Sequence, residues 1–175
     1  MTNKKNEILN VQPHSDEAEQ AVLGSMLSDK EAVNKAFEKK LDAVHFYKKN
    51  HSLIFAAMSI LDKKNEPIDT VSVVDVLTKN NDLETVGGAF YISGLVDLVP
   101  TTAHVARYIK IVMEKAILRN LIYLSNDISK EAFIEKGNTQ ITDSEFLNGL
   151  AYKEAMASVI ERLEKDAQLK FEVLS

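Results

Sequence analysis

Side chains able to do chemistry are few and scattered. The four histidines, His14, His45, His51 and His104, never form a helix face of two histidines with a glutamate between, so a zinc hydrolase is unsupported. The chain has no cysteine, which excludes disulfides, thiolate nucleophiles and cysteine-ligated zinc. Glu17 and Glu19 stand two apart, which on a helix points them to different sides, so they are no general acid–base pair. The six glycines allow no phosphate-cradling loop that ends in Lys followed by Ser or Thr. Gly87-Gly88 ahead of a helix would suit an anion. Without a preceding strand, a lysine or a longer glycine pattern, the pair reads instead as a tight turn. His51, on an otherwise apolar helix, reads as a packed or capping histidine. The expectation is that the chain holds no catalytic, cofactor-binding or metal-binding residue.

Charge argues against duplex DNA as the main partner. Lys and Arg number 21 against 26 Asp and Glu, for a net charge of −5 and a pI near 5.4. Phosphate recognition needs the opposite balance. Between Thr102 and Asn126, Arg107, Lys110, Lys115 and Arg119 outnumber the single acid Glu114. A solvated or salt-bridged helix face is the plainer reading of that cluster, and a phosphate track the alternative. From Asp127 onward ten acids face six bases, a poor nucleic-acid surface. Composition, 45% apolar and 27% charged, is that of an ordinary globular domain. No apolar run approaches the roughly 18 residues of a membrane span, and Met1 to Asn10 lack the apolar core of a signal peptide. The cytoplasm is the expected compartment.

The elements that position these residues are helices. Ser15 can cap a helix over about Asp16 to Leu27, with Asp16, Glu17 and Glu19 at the positive end of its dipole and Ala18, Ala21, Val22 and Met26 as its apolar face. A second helix covers about Glu31 to Phe37. A third starts near His51, carries Leu53, Ile54, Phe55, Ala57, Met58 and Leu61, and ends at Asn65 and Pro67. Asp69 or Thr70 caps a fourth through Val73, Val74, Val76 and Leu77, where the valine run makes a strand the alternative. Asn80-Asn81-Asp82 is a turn, and a fifth helix follows Gly87-Gly88 through Phe90, Tyr91, Leu95 and Val96.

From Ala103 to about Phe133 there is no Gly or Pro, so one long helix is expected, broken at Glu135-Lys136-Gly137-Asn138. A second long helix is expected from about Asp143 to Val173. Two long helices joined by a short turn pack antiparallel. The fold class is therefore all-α: a disordered tail over 1–12, a small helical head over 13–100, and a long antiparallel helical hairpin over 101–175. The hairpin carries more apolar surface than one copy can easily bury. Self-association is expected through Ile109, Val112, Met113, Ala116 and Leu121, with Met156, Ile160 and Leu163.

The string Pro13-His14-Ser15-Asp16-Glu17-Ala18-Glu19-Gln20-Ala21-Val22-Leu23-Gly24 resembles the opening of the N-terminal domain of bacterial replicative DNA helicases of the DnaB family. Further segments are similar to that family in order: His45-Phe46-Tyr47 with His51, Ile54 and Phe55, and Glu66-Pro67-Ile68-Asp69. Then come Leu83-Glu84-Thr85-Val86-Gly87-Gly88-Ala89-Phe90-Tyr91-Ile92 and Pro100-Thr101-Thr102-Ala103. Tyr108, Ile111-Val112, Glu114-Lys115 and Leu118-Arg119-Asn120-Leu121-Ile122 complete the series. Asn65 stands where the family usually has Gly, His104 replaces a usual Asn, and extra residues lie around 141–156.

The resemblance implies an assembly and protein-interaction domain, not an enzyme. In the family, hairpins pair into dimers, and three dimers form a collar on a hexameric motor ring. That collar docks the C-terminal domain of primase during DNA replication, and in some systems a helicase loader. The RecA-like ATPase domain, with its ATP and Mg, is expected to lie outside this chain, which needs no cofactor of its own. DNA contact is expected to be weak or absent, and no membrane is implied. A free-standing helical adaptor that binds or regulates a helicase is the alternative.

Overall fold

The computed structural model describes residues 11–138 apart from position 100, with side chains as far as Asp127. Among these residues there are six α-helices and no strand: α1 Asp16–Ser28, α2 Lys30–Glu38, α3 Lys49–Lys63, α4 Thr70–Lys79, α5 Gly88–Asp97 and α6 Val105–Asn138. One 3-10 turn, Ala43–His45, precedes α3.

Local chemistry sets most of the boundaries. The extended Ser15 accepts from the Ala18 N–H and starts α1. Asp29 accepts from Glu31 N at 2.9 Å and starts α2, while its other oxygen accepts from the Thr102 hydroxyl at 2.7 Å. Those two donors hold the Asp29 carboxyl below its ordinary value, the Thr102 bond more than the Glu31 one. Asp69, not Thr70, caps α4 by accepting from Ser72 N. That segment is helical because Val73, Val76 and Leu77 recur at three- and four-residue spacing and all go inside, leaving Val71 exposed. Helix α3 starts two residues before His51, with no side-chain cap.

Three helices end in the same way. Asn65 takes φ 55° after α3, and the N–H of Glu66 returns to Leu61 O at 2.9 Å. Asn81 ends α4 with φ 60° and Asp82 N donating to Leu77 O. Lys40 does so after α2 with φ 52°, although nothing in its side chain favours the left-handed region.

Two compact units divide the chain, residues Met1–Arg119 and Asn120–Ser175. The first includes the opening part of α6. Its core is built on α1, which packs on α2, α3 and α5, while α4 closes on α3 and α5. Leu23, Met26, Ile54, Phe55, Met58, Leu61, Leu77, Ile92, Leu95 and Ile109 are fully buried there. The described part of the second unit is the rest of α6, which runs helically to Asn138. The expected break at Glu135–Asn138 is therefore corrected. A lone glycine such as Gly137 weakens a helix by only about 1 kcal/mol and does not stop it. The second hairpin helix and most of the 1–12 tail lie outside the described residues.

Gly24 is the closest approach in the head. A Cβ built there would sit 2.1 Å from the backbone oxygen of Leu95 and 2.7 Å from Val99 Cγ2, so α1 and α5 meet backbone to backbone. Gly24→Ala should destabilise the protein by about 1–3 kcal/mol in urea unfolding, because overpacking against a backbone atom outweighs alanine's helix preference.

Candidate functional site

The first turn of α1 carries three acids, and the third of them faces inward. Glu19 is 1% exposed, on the same side as Ala18, Val22 and Met26. A carboxylate without water must be supplied with donors. Oε1 accepts from Tyr47 N at 2.7 Å; Oε2 accepts from His51 Nδ1 at 2.7 Å and from Lys48 N at 3.4 Å. His51 is itself fully buried, and its Nε2 lies 2.6 Å from the Tyr91 hydroxyl, which accepts from Gln20 Nε2 at 3.4 Å. Gln20 donates to Tyr91, Tyr91 and His51 Nε2 share a proton, and His51 Nδ1–H donates to the Glu19 carboxylate, which can only accept.

A second clasp sits beside the first. Arg119 of α6 is 6% exposed and donates from Nη1 to Pro13 O at 2.8 Å and from Nη2 to His45 O at 2.7 Å. Its guanidinium lies 5.6 Å from the centre of the Tyr47 ring, which stacks on His14 with centroids 4.2 Å apart. Lys48 pairs with Asp16 at 2.5 Å, and that bond raises the lysine above its ordinary value. The segment from Asp42 to Lys48 is thus tied to α1, α3 and α6 together.

His45 adds a polar lock at the start of that segment. Its Nδ1 accepts from Asp42 N at 2.9 Å, while Asp42 Oδ1 accepts from Val44 N at 3.1 Å. An imidazolium has no lone pair for the Asp42 N–H, so the lock requires the neutral ring. Burial holds His45 below its ordinary 6.5 and the Arg119 charge adds to this, against the opposing pull of Asp42.

Chemically the arrangement positions backbone. Tyr91, His51 and Glu19 follow the order nucleophile, base and orienting carboxylate. Every polar atom of the relay, however, is committed to holding a neighbouring segment. The groove lined by Leu27, Asp29, Val33, Asp62, Glu66 and Ile68 includes none of them. Among the described residues no three His, Asp or Glu side chains gather as a metal site.

The expected self-association residues separate into groups. Ile109, Val112 and Ala116 are buried in the first unit, 0%, 2% and 4% exposed. Met113 is partly buried against that core, and Leu121 is exposed. Met156, Ile160 and Leu163 lie outside the described residues. Of the basic cluster, Arg119 is buried on two carbonyls and Lys110 faces Glu114 at 3.8 Å. Gly87 and Gly88, with φ 99° and 74°, make the tight turn expected of them. Sequence reasoning missed Glu19 as a keystone. The one available signal was an acid at an inward position of an otherwise apolar helical face.

The DnaB-like helicase N-terminal domain model matches residues 11–114. The chain is 38% identical over 131 residues to the replicative DNA helicase DnaB of Geobacillus stearothermophilus, covering 75% of this chain and 29% of the relative. It is 37% identical over 128 residues to the replicative DNA helicase DnaC of Bacillus subtilis, covering 73% and 28%. The chain therefore spans less than a third of these relatives. Among solved structures it is similar to the N-terminal domain of DnaB helicase from Mycobacterium tuberculosis, with TM-score 0.70 and 32% identity over 78% of this chain and 97% of that one. It is also similar to a DnaB-like replicative helicase described with its interactions with primase, with TM-score 0.61 and 27% identity over 86% of this chain and 35% of that one.

Two outcomes follow for stability. Glu19→Ala leaves His51 and two backbone N–H groups without an acceptor and should cost about 3–5 kcal/mol in urea unfolding, whereas Tyr91→Phe removes the hydroxyl's two bonds, to His51 and Gln20, and should cost about 1–3. The second concerns pH. His45 is held below 6.5 in the fold, so the unfolded chain binds its proton more readily. That contribution is complete above 6.5 and lost as pH falls through the lowered value. Melting curves between pH 7.5 and 5 should therefore fall more steeply for the parent than for His45→Gln, which keeps an acceptor and does not titrate.

Proposed function

The chain belongs to the family of DnaB-like helicase N-terminal domains, and from that membership we propose that it is the assembly and protein-interaction domain of a replicative DNA helicase, with no catalytic step of its own. The observation that carries the reading is the likeness, over most of this chain, to a replicative helicase described with its interactions with primase. Copies pair through the hairpin, three pairs close as a collar, and the collar docks the C-terminal domain of primase. ATP, Mg and strand separation belong to the larger remainder that the relatives possess. This division of labour agrees with the interior of the head, where the buried polar groups hold segments in place.

The pairing surface is narrower than hydrophobicity alone implied. With Ile109, Val112 and Ala116 committed to the core, Leu121, Ile122 and Tyr123 of α6 remain, between 40% and 52% exposed. Met156, Ile160 and Leu163 are proposed to continue it.

Light scattering over a concentration series should give a multiple of the 19.5 kDa chain mass. Leu121→Asp should weaken that association by about 30-fold or more while the far-ultraviolet helical signal stays unchanged. A strict monomer at high concentration overturns the pairing, and a flat titration with the primase C-terminal domain overturns the docking.

A further inference from the structure

Helix α5 turns Ile92 and Leu95 into the core and presents Phe90, Ser93, Gly94, Asp97 and Leu98 outward, at spacings of three, four, seven and eight. Phe90 is 92% exposed and Leu98 59%. An aromatic side chain left this open gains nothing for the fold, and aromatic side chains are the anchors that interfaces favour. Between the two apolar ends lies Gly94, where an added Cβ would meet nothing within 4 Å. The face is thus a shallow floor with an apolar post at each end, a shape that admits a crossing helix.

Along the chain, the charge flanking this helix has one sign. Residues 80–106 contain Asp82, Glu84 and Asp97 and no Lys or Arg. Glu84 and Asp97 are exposed and make no ion pair among the described residues. A second copy of the same face would set these acids against each other. Residues 139–175 of the chain carry seven acids and four bases, which is again the wrong sign. We propose that the outer face of α5 docks an amphipathic helix of a partner protein, whose apolar seam seats on Phe90 and Leu98 and whose flanking lysines or arginines meet Glu84 and Asp97. This surface lies on the head and does not depend on pairing through α6.

The test uses the full chain and two fluorescent synthetic helices, one with a leucine seam flanked by lysines and one with the same seam flanked by glutamates. The lysine peptide should bind and the glutamate peptide should not, with affinity falling as salt rises. Phe90→Asp and Gly94→Leu should each weaken binding at least about tenfold, and Asp97→Lys should weaken the lysine peptide and admit the glutamate one. Urea midpoints should show that all three variants remain folded, and Val71→Asp, on exposed α4 surface, should leave binding unchanged. Equal binding of both peptides, or indifference to Phe90→Asp, overturns the proposal. So does a loss of self-association in Phe90→Asp, which would give the face to a second copy.

Discussion

A carboxylate with 1% of its surface exposed has to find its donors inside the protein, and Glu19 finds them on two backbone N–H groups and a buried imidazole. Those donors belong to the loop before α3 and to α3 itself. The same imidazole reaches Tyr91 on α5. One charge on the first turn of α1 therefore fixes three other parts of the head at once. Removing Glu19 takes the shared acceptor from the imidazole and both N–H groups at once, so these contacts are coupled.

Arg119 completes this constraint from the opposite end of the unit. Its planar guanidinium reads two carbonyls at once, one on the entering chain and one in the loop, a geometry that a lysine would not reproduce. The residue looks, in a list of charges, like one more base on a helix. In the fold it is a bracket. This removes the strongest member of any phosphate-binding track on α6 and places that positive charge in the interior.

Consequences for function follow from where polar groups are consumed. The head commits its titratable interior to holding its own segments, and it leaves apolar side chains outside at α5 and along α6. A domain of that kind is suited to holding partners in place. The apolar count of α6 had suggested a broad pairing surface, yet the head takes Ile109, Val112 and Ala116 for itself. Surface and core compete for the same stripe, and only the packing shows which residues each receives.

Local features were legible in the residues because their causes lie within a few positions. Ser15, Asp29 and Asp69 cap helices through N–H groups two or three residues away, and Asn65 and Asn81 tolerate the left-handed turn that ends one. The order of short motifs from Pro13 to Ile122 was enough to indicate the family. Helix propensity and caps did not reveal that Gly137 would be carried through, or that Lys40 would take positive φ. What the tertiary structure alone decided was the pairing of distant groups. Glu19 meets His51 across 32 residues, and Arg119 meets Pro13 across 106. Gly24 is required by a carbonyl on another helix. No periodicity encodes such contacts, because the energy that selects them exists only once water has been excluded and the segments lie side by side.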